Sequence, residues 1–394
     1  MAKGTWLAAL AATASIGAAA PPPLANYSVD VATTSGFGAD MASGRRPGLG
    51  QMMSMMRGVG GAAVRTLELR LTARNGTTGT ASHIPPSALG LGPQMPLLAP
   101  EPVTRVERTS PVETPAPAER PKGRILIYWG CGEHVGPGQP LIIDFAKMAP
   151  GQLPPGMMAM MMARGGGRAS AQPAQNENAA RWPNRQDSRA VPAGGSLVGA
   201  HRVQASYAPP IAFTLGAGQD FMPALGLREG GSLPSGASRL DWTLAPQATG
   251  YALGLFGAGE GAGSAGGGGD IVMWTSAGGS YHFPAMDYLA PPEVRRQIAA
   301  NAVLAPTTSE CVLPAEVARA APAGILTMIG YGPEIVFAEA PTAPKWTAKL
   351  RFKSTASLIR GLGGQGDEAR QGEAPRPKRR FGIGDVLRGA IPHP

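Results

Sequence analysis

The sequence predicts a mainly β protein built from two antiparallel β-sandwich-like domains, with one or two short helices and long disordered segments. Short apolar runs either alternate with polar residues at period two or stand unbroken, and Gly and Pro separate them. Gly 56 and Pro 40 make up about a quarter of the 394 residues, a share typical of chains with long low-complexity segments. The predicted core is therefore smaller than the length of the chain suggests.

The stretch 238–276 anchors the second of these domains. Leu240 and Trp242 point to one face at period two, Pro246 interrupts the run, and Tyr251 lies at the start of the next run. This pattern resembles the B and C strands of a fibronectin type III or immunoglobulin-like sandwich, in which a core Trp packs near a Tyr that begins the next strand. The resemblance covers a small part of the chain and implies a sandwich fold, to which no particular function belongs.

Other segments predict the remaining ordered elements. Residues 64–74 and 345–355 alternate cleanly, which is typical of strands buried on one face. The unbroken apolar run 125–129 predicts a strand buried on both faces, and residues 141–145 predict the strand that returns beside it. Residues 292–303 are the best helix candidate, because apolar residues recur at four-residue spacing after a starting proline.

Composition divides the chain into six predicted segments. The first contains Lys3, an apolar run and a small-residue site at 17–19, which indicate a cleaved secretory signal and a periplasmic or secreted protein associated with the cell envelope. The segments are a signal peptide 1–20, a mobile Gly/Met-rich segment 21–60, a first β domain 61–150, a Met/Gly-rich disordered linker 151–196, a second sandwich domain 197–355, and a basic disordered tail 356–394 with a short amphipathic helix.

Positive charge is concentrated near the C-terminus. The net charge is +9, and residues 345–394 carry eleven Lys plus Arg against four Asp plus Glu, or +7. The nearly neutral remainder argues against a nucleic-acid-binding domain. The residues expected to contact an anionic membrane surface are Lys349, Arg351, Lys353, Arg376, Lys378, Arg379 and Arg380. The alternatives are strand lysines that prevent edge-to-edge aggregation and a solvated tail that aids solubility.

The two cysteines, Cys131 and Cys311, fit an oxidising compartment, where one disulfide would join distant parts of the fold. The alternative is two buried thiols, since sequence does not give the distance between them. Cys131 also lies three residues before His134, a spacing that admits a thiolate with its base or two metal ligands. A plain glycine loop between strands is the favoured interpretation, because the sequence shows no third catalytic residue or metal ligand for this pair.

Methionine is concentrated in two clusters. Soft thioethers favour Cu(I), which an exported protein would meet outside the reducing cytosol. Loosely packed apolar patches for a partner are the favoured alternative, because neither cluster has a neighbouring His or Cys. The clusters are Met52, Met53, Met55 and Met56, and Met157, Met158, Met160, Met161 and Met162.

Standard catalytic signatures are absent from the sequence: it contains no H-E-x-x-H, no G-x-S-x-G and no phosphate loop. The sequence therefore predicts an exported, non-catalytic binding or structural protein without a cofactor, whose partner is an unknown protein or envelope component. Two alternatives stay open, a cell-envelope hydrolase with dispersed catalytic residues and a Met-rich Cu(I)-binding exported protein.

Overall fold

The computed structural model describes residues 22–37, 39, 63–99, 123–147, 178–259, 269–279, 286–340 and 344–361. Within these ranges the chain forms three β-sheets and only two short α-helices, so the mainly β prediction is confirmed. Strands dominate because the apolar runs are short, alternating and separated by Gly and Pro.

The strands in chain order are β1 Ala25–Gly36, β2 Val64–Ala73, β3 Ala81–Ile84, β4 Met95–Pro96, β5 Arg124–Trp129, β6 Leu141–Asp144, β7 Ala180–Trp182, β8 Gly199–Ala205, β9 Ala208–Leu215, β10 Arg228–Ser232, β11 Ser238–Asp241, β12 Gly250–Ala258, β13 Ile271–Thr275, β14 Glu310–Leu313, β15 Ala323–Ala338 and β16 Trp346–Arg360. The α-helices are α1 Pro291–Ala299 and α2 Ala315–Ala320, and single 3₁₀ turns occupy Ser87–Leu89 and Phe145–Lys147.

A nine-stranded sheet in the order β6-β5-β13-β12-β15-β16-β1-β2-β7 organises the fold. Two of its neighbouring pairs are parallel, β1 with β16 and β13 with β5, so the sheet is mixed where the sequence predicts antiparallel strands. Parallel neighbours need no tight turn between them, which is why the sequence carries no local signal for these two pairs. The smaller sheets have the orders β4-β3-β8-β9 and β10-β11-β14.

The nine-stranded sheet takes strands from both sides of the predicted linker. β5 and β6, from the predicted first domain, lie beside β13 from the predicted second domain. β1 lies within the segment 21–60 that was expected to be mobile, and β7 lies within the predicted linker 151–196. β1 is ordered because β16 and β2 pair with it along nearly its whole length on both sides. β16 in turn extends five residues past the predicted start of the tail, to Arg360.

The two smaller sheets share one apolar cluster with a single face of the nine-stranded sheet. The predicted inward faces of residues 64–74 and 345–355 belong to this cluster, which confirms the period-two assignment. Members from the large sheet include Tyr27, Val29, Leu67, Leu69, Leu71, Tyr251, Leu253, Leu350 and Phe352, and members from or beside the small sheets include Val203, Ile211, Phe213, Leu240, Trp242 and Leu313.

The opposite face of the large sheet is partly covered by α1. Val294 of this helix packs with Ala252 of β12 and Ile329 of β15. The helix ends at Ala299, earlier than the sequence predicts, and Asn301 just beyond it has a left-handed φ of 55°. Among the described residues, no helix is both long and apolar enough to cross a membrane.

Candidate functional site

Charged side chains gather on the outer face of β2, β1 and β16, around a carboxylate that is only 3% exposed, that of Asp30. Arg351 lies directly opposite Asp30 in the parallel register and donates to both carboxylate oxygens, from Nε at 2.7 Å and from Nη2 at 2.8 Å. Arg70, on the other neighbouring strand, forms a second ion pair with the same carboxylate. One buried negative charge is therefore shared by two guanidinium groups.

The segment 286–289 lies over these cations. The ring of Tyr288 has the Arg351 guanidinium carbon at 4.7 Å and the Lys353 ammonium at 4.3 Å from its centroid. Lys353 Nζ also donates to the carbonyl of Met286 at 3.2 Å and lies 3.6 Å from Asp287 Oδ1. Burial lowers the pKa of Lys353, and the carboxylate of Asp287 opposes that effect.

These contacts bear on the prediction that the basic residues of β16 bind an anionic surface. Arg351 and Lys353 were expected to face an anionic surface, but carboxylates of the same chain engage both, and their side chains are only 18% and 17% exposed. Lys349 is about half exposed and pairs with Glu334 at 3.4 Å. The other basic residues of that prediction, Arg376, Lys378, Arg379 and Arg380, lie outside the described residues. Together with segment 286–289, Asp30, Arg70, Arg351 and Lys353 are called the Asp30 cluster below.

A disulfide bond joins Cys131 to Cys311, with Cα atoms 5.3 Å apart. Cys131 is exposed just after β5, whereas Cys311 is buried in β14, so the bond connects the nine-stranded sheet to the three-stranded sheet. The backbone supports it, because the amide of Gly132 donates to the carbonyl of Val312 at 2.9 Å.

His134, close to this bond, does not act on a thiolate, because the sulfur of Cys131 is already bonded. Its Nδ1 lies 2.9 Å from Oε1 of Glu316, and this hydrogen bond lowers the pKa of the Glu316 carboxyl. The other oxygen of Glu316 accepts from the amide of Val135 at 3.2 Å. The loop after β5 is therefore held to α2 as well as to β14.

A buried chain of polar side chains connects the large sheet to the four-stranded sheet, and sequence analysis missed it. Tyr27 Oη lies 2.9 Å from Nδ1 of His83, and Nε2 of His83 lies 3.1 Å from Nδ1 of His201. Nε2 of His201 lies 2.7 Å from the carbonyl oxygen of Leu197. The one usable signal was that His201 shares the buried period-two face of β8 with Val203. This chain of contacts is called the Tyr27 relay below.

Burial dominates the electrostatics of the Tyr27 relay. It lowers the pKa of His83 to about 3, with a further contribution from His201. It also lowers the pKa of His201, against the opposing effect of the Leu197 carbonyl, and raises that of Tyr27. All three side chains are therefore uncharged near neutral pH.

Metal binding finds no support in the described ranges, where no three His, Cys, Asp or Glu side chains are grouped as ligands. The methionines proposed for Cu(I), at positions 52–56 and 157–162, lie outside those ranges. A shallow surface cavity near β4 and β7 contains Asp187 and Arg189, but these two groups neutralise each other through hydrogen bonds of 2.8 and 2.6 Å. The hydrogen bond from Arg189 contributes most to lowering the pKa of Asp187 to about 2.

Comparison of the chain with protein-family models, with curated proteins and with solved structures gives no match.

Proposed function

We propose that the chain is an exported, non-catalytic binding or structural protein, in which a cross-linked β body holds a basic tail that contacts an anionic surface. The observation that carries the proposal is the disulfide between Cys131 and Cys311. Bonds of this kind persist in oxidising compartments and are rare in the cytosol. The bond agrees with the signal-like pattern at residues 1–20.

The position of the disulfide supports a scaffolding role. It closes a sequence separation of 180 residues, and it fixes the loop after β5 to the three-stranded sheet. Closing a long loop removes conformational freedom from the unfolded chain, which favours the folded state. A body stabilised in this way suits a protein that keeps its shape outside the cell without chaperones.

The distribution of charge supports surface contact by the tail rather than by the body. In the body, Arg351 and Lys353 are engaged by Asp30 and Asp287, so moving them onto a membrane would break ion pairs that already exist. The tail carries its own basic run from Arg376 to Arg380, followed by apolar residues that share one helical face. Each basic residue near an anionic surface contributes about 1 kcal/mol, which salt screens.

The likeness to fibronectin type III and immunoglobulin-like sandwiches belongs to this proposal as well. Its support is the packing of Trp242, which directly follows β11 of the three-stranded sheet, on Tyr251 of β12 in the large sheet. The parallel pairs in the large sheet are a departure from those all-antiparallel folds. The likeness is therefore proposed for the neighbourhood of these two residues alone.

Co-sedimentation with lipid vesicles tests the surface contact. The full chain is compared with a chain that ends at Gly372, on neutral phosphatidylcholine vesicles and on vesicles that also contain phosphatidylglycerol, at low and high salt. We expect the full chain to bind the anionic vesicles at low salt and the shortened chain to remain in solution. Lys349→Gln is the matched control, because it removes a half-exposed cation from the body, and it should bind like the parent. Equal sedimentation of the full and shortened chains would exclude the tail as the contact.

Export is tested separately by intact mass measurement of the protein recovered from the periplasm or the medium. We expect a mature chain that begins between about Ala18 and Asn26, in line with the small-residue site before it. Recovery of the protein only from the cytosol, or with Met1 intact, would contradict export.

A further inference from the structure

The Tyr27 relay lies where two sheets meet. Tyr27 belongs to β1 of the nine-stranded sheet, whereas His83 and His201 belong to β3 and β8 of the four-stranded sheet. The ring of Phe213 in β9 stacks on His201 at 5.0 Å, and the ring of Phe337 in β15 stacks on Phe213 at 5.2 Å. The relay therefore belongs to an aromatic column that starts and ends on the large sheet and passes through the small one.

The direction of the hydrogen bonds follows from the last acceptor. A carbonyl oxygen only accepts, so Nε2 of His201 carries the hydrogen that Leu197 receives. In a neutral imidazole Nδ1 of His201 is then an acceptor, and Nε2 of His83 donates to it. By the same reasoning Nδ1 of His83 accepts from the hydroxyl of Tyr27. All donors and acceptors along the relay are satisfied in one direction only.

An added proton on either histidine reverses the hydrogen bond between His83 and Tyr27. A proton on His83 makes both of its nitrogens donors, so Nδ1–H points at the oxygen of Tyr27. A proton on His201 forces His83 into the tautomer that carries hydrogen on Nδ1, with the same result. The Tyr27 hydroxyl then accepts, and the described residues give its own hydrogen no second partner. Either proton thus leaves a buried donor unsatisfied as well as a buried charge, and both are unfavourable.

We propose that the Tyr27 relay is an acid-released joint, which holds the four-stranded sheet on the nine-stranded sheet while both imidazoles are neutral and opens when either takes up a proton. The proposal does not depend on the function proposed above.

Among the residues that the structure describes, none is seen to compensate for a charge added to the relay. The titratable groups that face one another are Tyr27 from β1, His83 from β3 and His201 from β8, while β9 and β15 contribute the uncharged rings of Phe213 and Phe337. Within the described part of the chain, neither imidazole is hydrogen-bonded to a carboxylate. Burial accordingly lowers the pKa of both histidines.

The direction of the pH effect follows from this. In the unfolded chain a histidine has a pKa of about 6.5, so the unfolded state binds protons below that pH while the folded state does not. The stability that depends on the neutral relay is complete above about pH 6.5 and is lost as the pH falls toward the lowered folded values. With two histidines, the unfolding equilibrium constant should rise by more than tenfold, up to about a hundredfold, between pH 6 and pH 5.

Urea unfolding of the full chain at pH 7, 6 and 5 is the first test. A rise in the unfolding constant of more than tenfold from pH 6 to pH 5 is expected, and a smaller rise would overturn the proposal. Hydrogen exchange over the same range, corrected for the pH dependence of chemical exchange, locates the effect. Protection should fall more in β8 and β9 than in β15 and β16, and an equal fall in all four strands would also overturn it.

Variants separate the relay from other titrating groups. His83→Gln combined with His201→Gln keeps groups that donate and accept but do not titrate, so the rise between pH 6 and 5 should drop below threefold. His134→Gln is the matched control, since that histidine is 65% exposed on the molecular surface, and it should behave like the parent. If the double variant does not fold, urea unfolding and hydrogen exchange of the parent chain are the tests that support or overturn the proposal. An unchanged pH response in a folded double variant would refute the role of the relay.

Discussion

Trp242 and Tyr251 pack against each other at 5.8 Å between ring centroids, with their planes tilted by 58°, and so join the end of one sheet to a strand of another. Trp242 directly follows β11 of the three-stranded sheet, and Tyr251 lies in β12 of the large sheet. The hydroxyl of Tyr251 also accepts a hydrogen bond of 2.8 Å from the amide of Ala245. One tyrosine thus holds both the aromatic ring and the backbone of the chain that turns from one sheet to the other.

Replacing Trp242 should therefore be costly. Trp242→Ala removes a side chain that is 5% exposed, and we expect a loss of about 3–5 kcal/mol in the free energy of unfolding, measured by urea denaturation. Leu244→Ala, in the same turn but 42% exposed, is the matched control and should change stability by less than about 1 kcal/mol. Similar urea midpoints for the Trp242→Ala and Leu244→Ala variants would mean that the contact between the sheets does not depend on the Trp242 ring.

Removing the disulfide should weaken the attachment of the three-stranded sheet. The double change Cys131→Ser and Cys311→Ala should lower the free energy of unfolding by about 2–5 kcal/mol, because it frees a long loop in the unfolded chain. The parent chain treated with dithiothreitol should lose a similar amount, as measured by melting temperature. The double variant serves as the control, since reductant should leave it unchanged. If dithiothreitol leaves the melting temperature of the parent chain unchanged, the disulfide does not stabilise the fold.

The Asp30 cluster predicts a difference between two acidic residues on one face. Asp30→Asn leaves Arg70 and Arg351 mostly buried without their carboxylate, and should cost on the order of 3 kcal/mol. Glu334→Gln breaks only the pair with half-exposed Lys349, and should cost less than about 1 kcal/mol. Chemical denaturation of both variants at neutral pH and moderate salt checks this. Equal costs would show that burial of Asp30 does not make its ion pairs important.

The two edges of the nine-stranded sheet also differ. β7 is capped, because Arg181 and Leu98 exchange backbone hydrogen bonds of 2.8 and 3.1 Å. At the other edge, the described residues place no strand outside β6, and its Leu141 and Ile142 are 51% and 52% exposed. An apolar edge of this kind pairs readily with another strand.

We expect the full chain to self-associate through β6 as its concentration rises, and Ile142→Lys to reduce that association in sedimentation velocity. Val336→Lys is the control, because this valine is equally exposed but lies in β15, four strands away from β6 in the sheet order. Pairing at this edge would be contradicted if the parent chain stays monomeric at high concentration. It would also be contradicted if Ile142→Lys and Val336→Lys reduce self-association equally.

Period-two patterns were enough to predict individual strands and their buried faces, as Leu69 in β2 and Leu350 in β16 illustrate. The patterns carried no information about which strands become neighbours, because pairing of β1 with β16 joins residues 321 positions apart. They also gave the side on which Arg351 and Lys353 project, but not the segment 286–289 that covers them. The Tyr27 relay was missed for the same reason, since the pairing of β3 with β8 brings its two histidines together from positions 118 residues apart, and Tyr27 reaches them from another sheet.

Pairing of β1 with β16 has a consequence for the order of folding. The first strand of the described chain receives one of its two neighbours only after residues 346–357 have been made, with Ala25 beside Trp346 and Gly36 beside Ser357. Contacts between such distant segments give a high contact order, which slows folding and delays completion of the sheet until β16 has been made. We expect the nine-stranded sheet to stay incomplete until β16 has been synthesised, and an unfinished sheet would suit passage through a narrow translocation channel, which the proposed export requires.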